Sequence, residues 1–303
     1  MSALTVRPFR RSDRDQLTSL VNLHAQAVIP GASVSVNTVL SQLEREPGEF
    51  IVDPWVRERV TLIAEQQQRI VGAAHLLRYG SDSEVGPAYR DFSEIRWLLC
   101  WAPDSPFADA EGAGAALSAA CLEQFREWGT STWGADGALP VPGVYGVPEQ
   151  WPHVRAIYEA AGFRPEGRTE VVLLAPVEEL PRRSVPVEGL RLRRTLGING
   201  TRFSACLGDS VLGYLEVEDR SDAGRLLRNG AWADIGNLAI ESEHRRRGIA
   251  TWLLGEAGEY LRLGHMDRLL AYAWPEQDDV LGFLAASGFR ELTRTTRGWA
   301  RKP

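Results

Sequence analysis

The chain has 303 residues, 44% hydrophobic and 24% charged, which is typical of a globular protein, and its length predicts two domains. The net charge of −6 argues against a general nucleic-acid-binding protein, which usually carries a basic excess. The three cysteines are widely spaced and no apolar run reaches the ~18 residues of a membrane span, so we expect a cytoplasmic protein with no metal and no membrane partner.

The first half opens with a strand-like alternation, LTVRPFRRSD (4–13), followed by two stretches with the apolar spacing of helices. Two strands joined by a polar turn follow over 61–77, which predicts a hairpin. A further strand over 92–102 contains Glu94, and a helix over 111–129 closes on a glycine suited to a C-cap. A short helix, a Gly-Phe turn and a last strand complete the half.

A segment with three prolines, PVEELPRRSVPVEG (176–189), predicts a linker. We therefore expect one domain over 1–178, a linker over 179–189 and a second domain over 190–303. The second half repeats the first in order: a strand (189–197), a hairpin (202–218), a strand (232–242), a helix (246–264), and a short helix with a Gly-Phe turn (281–289).

Two acidic residues fall at matching places in this repeat. Gly72 precedes Glu94 by 22 residues, and Gly213 precedes Asp234 by 21. In the second half the hairpin follows the opening strand almost at once, so the two first helices are missing. The predicted fold is α+β: two tandem domains, each a mixed, mostly antiparallel twisted sheet flanked by helices, the second without its first helices.

The most informative segment of the second half is RRRGIA (245–250), which leads from a strand into a helix. A helix N-terminus has unpaired N–H groups and a partial positive charge, and Gly248 allows a ligand to approach the backbone closely. Ala250 is small, and three arginines add charge. This pattern indicates a site for an anion with several oxygens, most simply a pyrophosphate. A solvated basic helix start is the alternative from the residues alone.

The order of elements, together with two motifs, resembles the GCN5-related N-acetyltransferase (GNAT) family of acyl-coenzyme A-dependent acyltransferases. RRRGIA matches the family's Arg/Gln-x-x-Gly-x-Gly/Ala turn, and ASGF (286–289) matches its late Gly-Phe signature. The resemblance covers nearly the whole chain as a tandem repeat. The turn is followed by no Gly-Lys-Ser/Thr, and no G-x-G-x-x-G pattern is present.

The resemblance implies that acetyl-CoA is the co-substrate and lies in a gap beside the strand 235–240. Pantetheine then lies against the end of this strand, and the backbone of the following turn holds the pyrophosphate. The residues that the resemblance assigns to coenzyme binding are Leu238, Ala239, Ile240, Arg245, Arg246, Arg247, Gly248, Ile249, Ala250, Thr251 and Gln277.

The corresponding turn of the first half, DAEGAG (109–114), departs from the family pattern. Asp109 replaces the leading arginine, and Glu111 lies beside it. Each acid repels a diphosphate by on the order of 1 kcal/mol at surface dielectric. We therefore expect the first half to bind coenzyme weakly or not at all.

The catalytic candidates are Asp234 and Glu94 as bases and Tyr158 as an acid. Transfer requires an amine without its extra proton and a thiolate that regains one. Many family members protonate sulfur with a tyrosine four residues before the late glycine. That position is Tyr158 in the first half and Leu284 in the second. In the second half water, Tyr272 or Tyr214 remain as alternative donors; otherwise the first half, which has the tyrosine, is the working site.

The expected function is transfer of an acyl group from acetyl-CoA to a primary amine of a small molecule or peptide, by direct attack in a ternary complex. We expect a monomer or homodimer that binds no nucleic acid. The alternative is a module that binds acyl-CoA or an amine drug without turning it over.

Overall fold

A computed structural model describes residues 4–47, 51–102, 112–141, 143–219 and 231–302. Two compact units make up the chain: unit 1 is Met1–Thr169 with Arg294–Pro303, and unit 2 is Glu170–Thr293. Across the described ranges, none of the helices combines the length and apolar character needed to cross a membrane.

The described residues of unit 1 contain four α-helices and a mixed sheet. Its helices are α1 (Arg14–Val28), α2 (Val36–Glu44), α3 (Ala113–Trp128) and α4 (Pro152–Ala160). Its strands are β1 (Thr5–Pro8), β2 (Val56–Gln66), β3 (Arg69–Tyr79), β4 (Phe92–Cys100), β5 (Thr132–Ala135) and β6 (Val147–Pro148). The predicted first helices correspond to α1 and α2, and the predicted hairpin to β2 and β3.

Unit 2 repeats this plan with fewer elements. Its strands are β8 (Leu190–Leu196), β9 (Thr201–Leu207), β10 (Ser210–Asp219), β11 (Ala231–Ile240) and β12 (Met266–Ala273), and its helices are α5 (Ile249–Leu263) and α6 (Asp278–Ala286). Strands β8 and β9 are joined by a tight turn in which the Gly197 N–H donates to the Gly200 carbonyl at 2.8 Å. The predicted absence of the first helices from the second half is therefore confirmed.

Each unit takes one strand from the other half of the sequence. Strand β7 (Arg164–Pro176) follows α4, but its residues 171–176 pair with β12 in unit 2. The last strand, β13 (Arg290–Arg301), pairs through residues 299–301 with β5 in unit 1. The units thus differ from the predicted domains 1–178 and 190–303, because the final strand of each half belongs to the sheet of the other unit.

The sheet of unit 2 runs in the order β7-β12-β11-β10-β9-β8, and only the β11–β12 pair is parallel. One face packs on α5 and carries the core, which includes Phe203, Leu215 and Val217. Successive strand residues alternate between faces, so Glu216 points to the opposite face, which we call the outer face. The register places Asn237 opposite Glu216, and hence on the same outer face.

Candidate functional site

A gap in the sheet of unit 2 lies between β11 and β12. Their parallel pairing begins at Ala231 and Met266 and ends with Asp234 opposite Leu270. Strand β11 continues to Ile240, while β12 continues to Ala273 and remains paired with β7 on its other side. Residues 235–240 of β11 therefore have one edge that, among the described residues, no strand pairs. Such an edge offers backbone donors and acceptors to an extended ligand.

A β-bulge lies where the two strands part. Glu216 is opposite Asn237 and Val217 is opposite Ile235, which leaves Gly236 as the extra residue of β11. Bulges bend a strand and increase its twist, so this one helps β11 to diverge from β12. A Cβ atom on Gly236 would lie 2.3 Å from the Cβ of Asn199, which explains why glycine occupies the position.

The turn after β11 has the conformation that the sequence predicts for an anion site. Arg246 and Gly248 have φ angles of 60° and 80°, in the left-handed region that glycine tolerates best. Helix α5 starts at Ile249, and its first backbone bond runs from the Trp252 N–H to the Gly248 carbonyl. The N–H groups before Trp252 therefore have no acceptor within the helix.

The three arginines of this turn are exposed. The Arg245 Nε donates to the Ile240 carbonyl at 3.1 Å and so joins the turn to the end of β11. Within the described part of the chain, Arg246 and Arg247 form no salt bridge. Their charge and the helix dipole together make this end of the gap attractive to phosphate groups.

The coenzyme candidates on β11 line the unpaired edge. Leu238 and Ile240 are partly buried against the core, whereas Ala239 is exposed on the outer face. Thr251 and Ala250 lie in the first turn of α5 and are partly exposed. The structure therefore brings the predicted strand and turn residues together along one continuous stretch.

Gln277 has a local role. Its side-chain Oε1 accepts the Trp274 N–H at 2.8 Å, and its backbone carbonyl accepts the Leu281 N–H at 2.9 Å. It thus closes the turn between β12 and α6. The predicted contact with coenzyme remains a prediction.

Asp234 lies at the closed end of the gap, where β11 and β12 are last paired. Its side chain is buried, and its Oδ2 accepts a hydrogen bond from the Tyr272 hydroxyl at 3.2 Å. Tyr272 is partly exposed and lies on β12 beyond the last paired residue. Leu284, in the position of the usual family tyrosine, is buried and has no proton to donate.

The Glu216 carboxylate stabilises the bulge through hydrogen bonds. It accepts hydrogen bonds from Arg202 Nε at 2.6 Å, Asn237 Nδ2 at 3.1 Å, and the backbone N–H groups of Ile198 and Asn199 at 3.2 and 3.3 Å. Burial raises the pKa of Glu216, but these hydrogen bonds outweigh it, and the pKa is lowered. The carboxylate is therefore a charged support for Asn237, fully surrounded by donors.

In unit 1 the corresponding gap is filled by the protein itself. Beyond β5, the Asp136 N–H donates to the Ile95 carbonyl at 2.8 Å and the Ala138 N–H donates to the Arg96 carbonyl at 3.1 Å. The next residue of β4, Trp97, is completely buried. The edge of β4 at Ile95 and Arg96 is therefore occupied by residues 136–138, whereas the matching edge of β11 is unpaired among the described residues.

The corresponding turn of unit 1 has both glycines, but there is no room for a ligand beside the second one. Gly112 has a φ of 89° and precedes α3, as Gly248 precedes α5. Gly114 is covered by α4, since a Cβ there would lie 2.3 Å from the Cδ1 of Ile157. Asp109 and Glu111, which we expected to repel a diphosphate, lie outside the described residues.

Tyr158 and Glu94 lie in the interior of unit 1. The Tyr158 hydroxyl donates to the Asp136 carbonyl at 2.7 Å, and burial raises its pKa far above the ordinary value. Glu94 accepts from the Tyr79 hydroxyl at 2.9 Å, and burial raises its pKa to about 7, although Arg96 opposes the shift. These contacts favour packing and structural hydrogen bonding for both side chains.

The described ranges contain no group of three or more His, Cys, Asp or Glu side chains able to hold a metal ion. They contain an extended, unpaired strand edge that ends in a basic helix N-terminus, with a carboxylate and a phenol at its closed end. This arrangement is suited to a long ligand with amide groups along its length and phosphates at one end.

Comparison with known families assigns this unit. The model of the acetyltransferase (GNAT) family matches residues 173–291, which include the gap, the turn and α5. This segment is a GNAT acetyltransferase domain. The chain therefore carries an acyltransferase, and its GNAT domain coincides closely with unit 2. Among curated proteins none matches the chain.

Solved structures extend the likeness of the GNAT domain to the full chain at the level of fold. A tandem GNAT protein from the clavulanic acid biosynthesis pathway, without acetyl-CoA, is 18% identical, with a TM-score of 0.67 over 99% of this chain and 98% of that one. A GCN5-related N-acetyltransferase from Sphaerobacter thermophilus is 14% identical, with a TM-score of 0.62 over 99% and 96%. The chain thus has the fold of a tandem GNAT protein.

Proposed function

We propose that the protein is an acetyl-CoA-dependent N-acetyltransferase that binds one coenzyme per chain, in unit 2. The acceptor is a primary amine of a small molecule or peptide, which attacks the thioester directly in a ternary complex. The observation that carries the proposal is the unpaired edge of β11 over residues 235–240, continuous with the turn before α5.

The dimensions and chemistry of this edge fit coenzyme A. Pantetheine is an extended chain with two amides, and it can bond to a strand edge as a further strand would. The turn at 245–248 supplies unpaired N–H groups and positive charge for the pyrophosphate at the other end. The thioester then lies toward the closed end of the gap, near Asp234.

Asp234 is the proposed base in this scheme. An ammonium group must lose a proton before its nitrogen can attack, and a carboxylate near the thioester can accept that proton directly or through one water molecule. Backbone N–H groups of the unpaired edge near the bulge are suited to stabilise the negative charge that develops on the carbonyl oxygen.

Unit 1 is proposed to have lost coenzyme binding. Residues 136–138 bond to Ile95 and Arg96 of β4, at the closed end of the corresponding gap, and Ile157 covers Gly114. Binding there would require breaking backbone hydrogen bonds of the sheet itself. We expect saturation at one coenzyme per chain, measured by isothermal titration calorimetry with coenzyme A.

The test of activity is release of coenzyme A thiol from acetyl-CoA with a panel of primary amines, including amino acids, polyamines, aminoglycosides and a short peptide. Thiol release should depend on the amine, and mass spectrometry should find an acetylated amine. Coenzyme binding without turnover of any amine would instead support a non-catalytic acyl-CoA-binding module. Leu284 favours that second candidate, because it replaces the family's usual proton donor.

A further inference from the structure

A hydrogen bond crosses the sheet of unit 2 at the point where the gap opens. Asp234 is the last residue of β11 that pairs with β12, and it lies opposite Leu270. Tyr272 lies on β12, two residues beyond Leu270. The Tyr272 hydroxyl donates to Asp234 Oδ2 at 3.2 Å, so the bond joins the two strands as they begin to part.

The two side chains project from the outer face. Ala271 and Ala273 pack in the core, so the intervening Tyr272 points the other way. Asp234 is paired with Glu218, on the same face of β10 as Glu216. Asp234 is only 3% exposed, whereas Tyr272 is partly exposed. The phenol is therefore the more exposed member of the pair.

We propose that Tyr272 is the catalytic acid that protonates the departing sulfur, and that Asp234 and Tyr272 form one proton relay. The inference rests on the proposed function, since the thioester reaches the two groups only if acetyl-CoA lies along β11. It assigns the missing acid to a strand of the sheet, whereas Leu284 occupies the helix position from which a family member would usually supply it.

The relay balances. The ammonium proton first passes through Asp234 to solvent, which leaves the carboxylate free again. The neutral amine nitrogen then attacks the carbonyl carbon, and Asp234 takes the proton that the nitrogen loses as the amide forms. The C–S bond then breaks, and the Tyr272 hydroxyl turns from Oδ2 to the sulfur and gives it a proton. The resulting phenolate regains a proton from Asp234 across the existing 3.2 Å contact. One proton has moved from nitrogen to sulfur, and both side chains return to their starting states.

The other tyrosines considered as donors are less suited to this role. Tyr214 lies on β10, one strand further from the gap, and the Arg202 guanidinium covers its ring at 4.3 Å. Tyr158 belongs to unit 1 and bonds to a backbone carbonyl there. Tyr272 alone among these three lies on a strand that borders the gap.

The test compares Tyr272→Phe with wild type in thiol release from acetyl-CoA with an amine identified in the panel. We expect kcat to fall at least 100-fold, the range of general acid catalysis, while the Kd for coenzyme A stays within twofold. Tyr260→Phe is the matched control, because it removes a phenol bonded by Thr201 at 3.3 Å on the α5 face, and should leave kcat unchanged.

Asp234→Asn supplies a second variant that does not depend on the folding of Tyr272→Phe. It keeps an oxygen that can accept from the phenol but cannot hold a proton, so kcat should again fall at least 100-fold. Groups that act as one unit are not additive, so the double variant should be no slower than the slower single variant.

The outcomes separate the two proposals. If wild type releases no thiol with any amine, the proposed function fails. If wild type is active but Tyr272→Phe keeps kcat within twofold, the proposed function stands and the relay is overturned. The relay is also overturned if Asp234→Asn has the kcat of wild type. It is overturned as well if the fold loss of kcat in the double variant equals the product of the fold losses in the two single variants.

Discussion

Replacing Gly248 by valine should weaken coenzyme binding ~10- to 150-fold, whereas the same change at Gly112 should leave it unchanged. Both glycines precede a helix with left-handed φ angles, 80° and 89°. An L-residue pays about 1–2 kcal/mol in this region, and a β-branched one is a severe outlier. A Cβ at Gly248 would also lie 3.3 Å from the Cβ of Pro186, while one at Gly112 would meet no atom of the described residues within 4 Å.

The effect on binding follows from the N–H groups of the turn. A hydrogen bond to a charged group contributes about 1.5–3 kcal/mol, so losing one as the turn rearranges weakens binding ~10- to 150-fold. Both variants should lose about 1–2 kcal/mol in unfolding free energy. Calorimetric titration with coenzyme A measures the first quantity, and urea unfolding the second. Normal affinity in Gly248→Val, with lost affinity in Gly112→Val, would refute the assignment of the site to unit 2.

Three further predictions concern charge. Arg247→Ala should weaken coenzyme A binding several-fold and reduce its dependence on salt, measured by titration at two ionic strengths, because an exposed charge near a phosphate contributes about 1 kcal/mol. Glu216→Ala should destabilise unit 2 by roughly 3–5 kcal/mol in urea unfolding, because it leaves a guanidinium and three N–H donors without their acceptor. Below pH 6.5, unit 1 should lose stability. Burial lowers the pKa of His24 to about 4 and of His75 to about 3, so these histidines become protonated in the unfolded state while they stay neutral in the native state. From pH 6.5 to 5 the two histidines cost about 3.2 kcal/mol, and Glu94, protonated in the native state up to about pH 7, offsets about 1.7 of these. Amide hydrogen exchange of β2–β4 should therefore show a loss of about 1.5 kcal/mol in wild type and about 3 in Glu94→Gln, and an increase in protection on acidification would contradict this prediction.

Much of the fold could be predicted from the sequence because its signals are local. Apolar periodicity located the helices, and the repeat of strand, hairpin, strand, turn and helix revealed two units. The short interval between 197 and 201 predicted the missing helices of unit 2. The turn at 245–250 could be recognised for the same reason, since its glycine and arginines act through backbone conformation and charge within six residues.

The rest depends on contacts distant in sequence. Nothing in the alternation of β7 indicates which sheet it joins, because both sheets offer an apolar edge strand as a neighbour. The sequence predicts Asp234 as a candidate base, but the hydrogen bond to Tyr272 depends on the register of two strands separated by a helix. The burial of Glu94 and Tyr158 likewise depends on how unit 1 closes over its own gap.

The strands that the two halves supply to each other determine when each unit can be finished during synthesis. Residues 171–176 leave the ribosome before the rest of unit 2, so β12 can pair with them as soon as it is synthesised. Unit 1 must wait for residues 299–301, which follow all of unit 2 in the sequence, before β5 gains its second neighbour beside β4. The half that is translated first is thus the last to complete its sheet, and a nascent chain stalled anywhere in unit 2 presents β5 as an unprotected edge to chaperones and proteases.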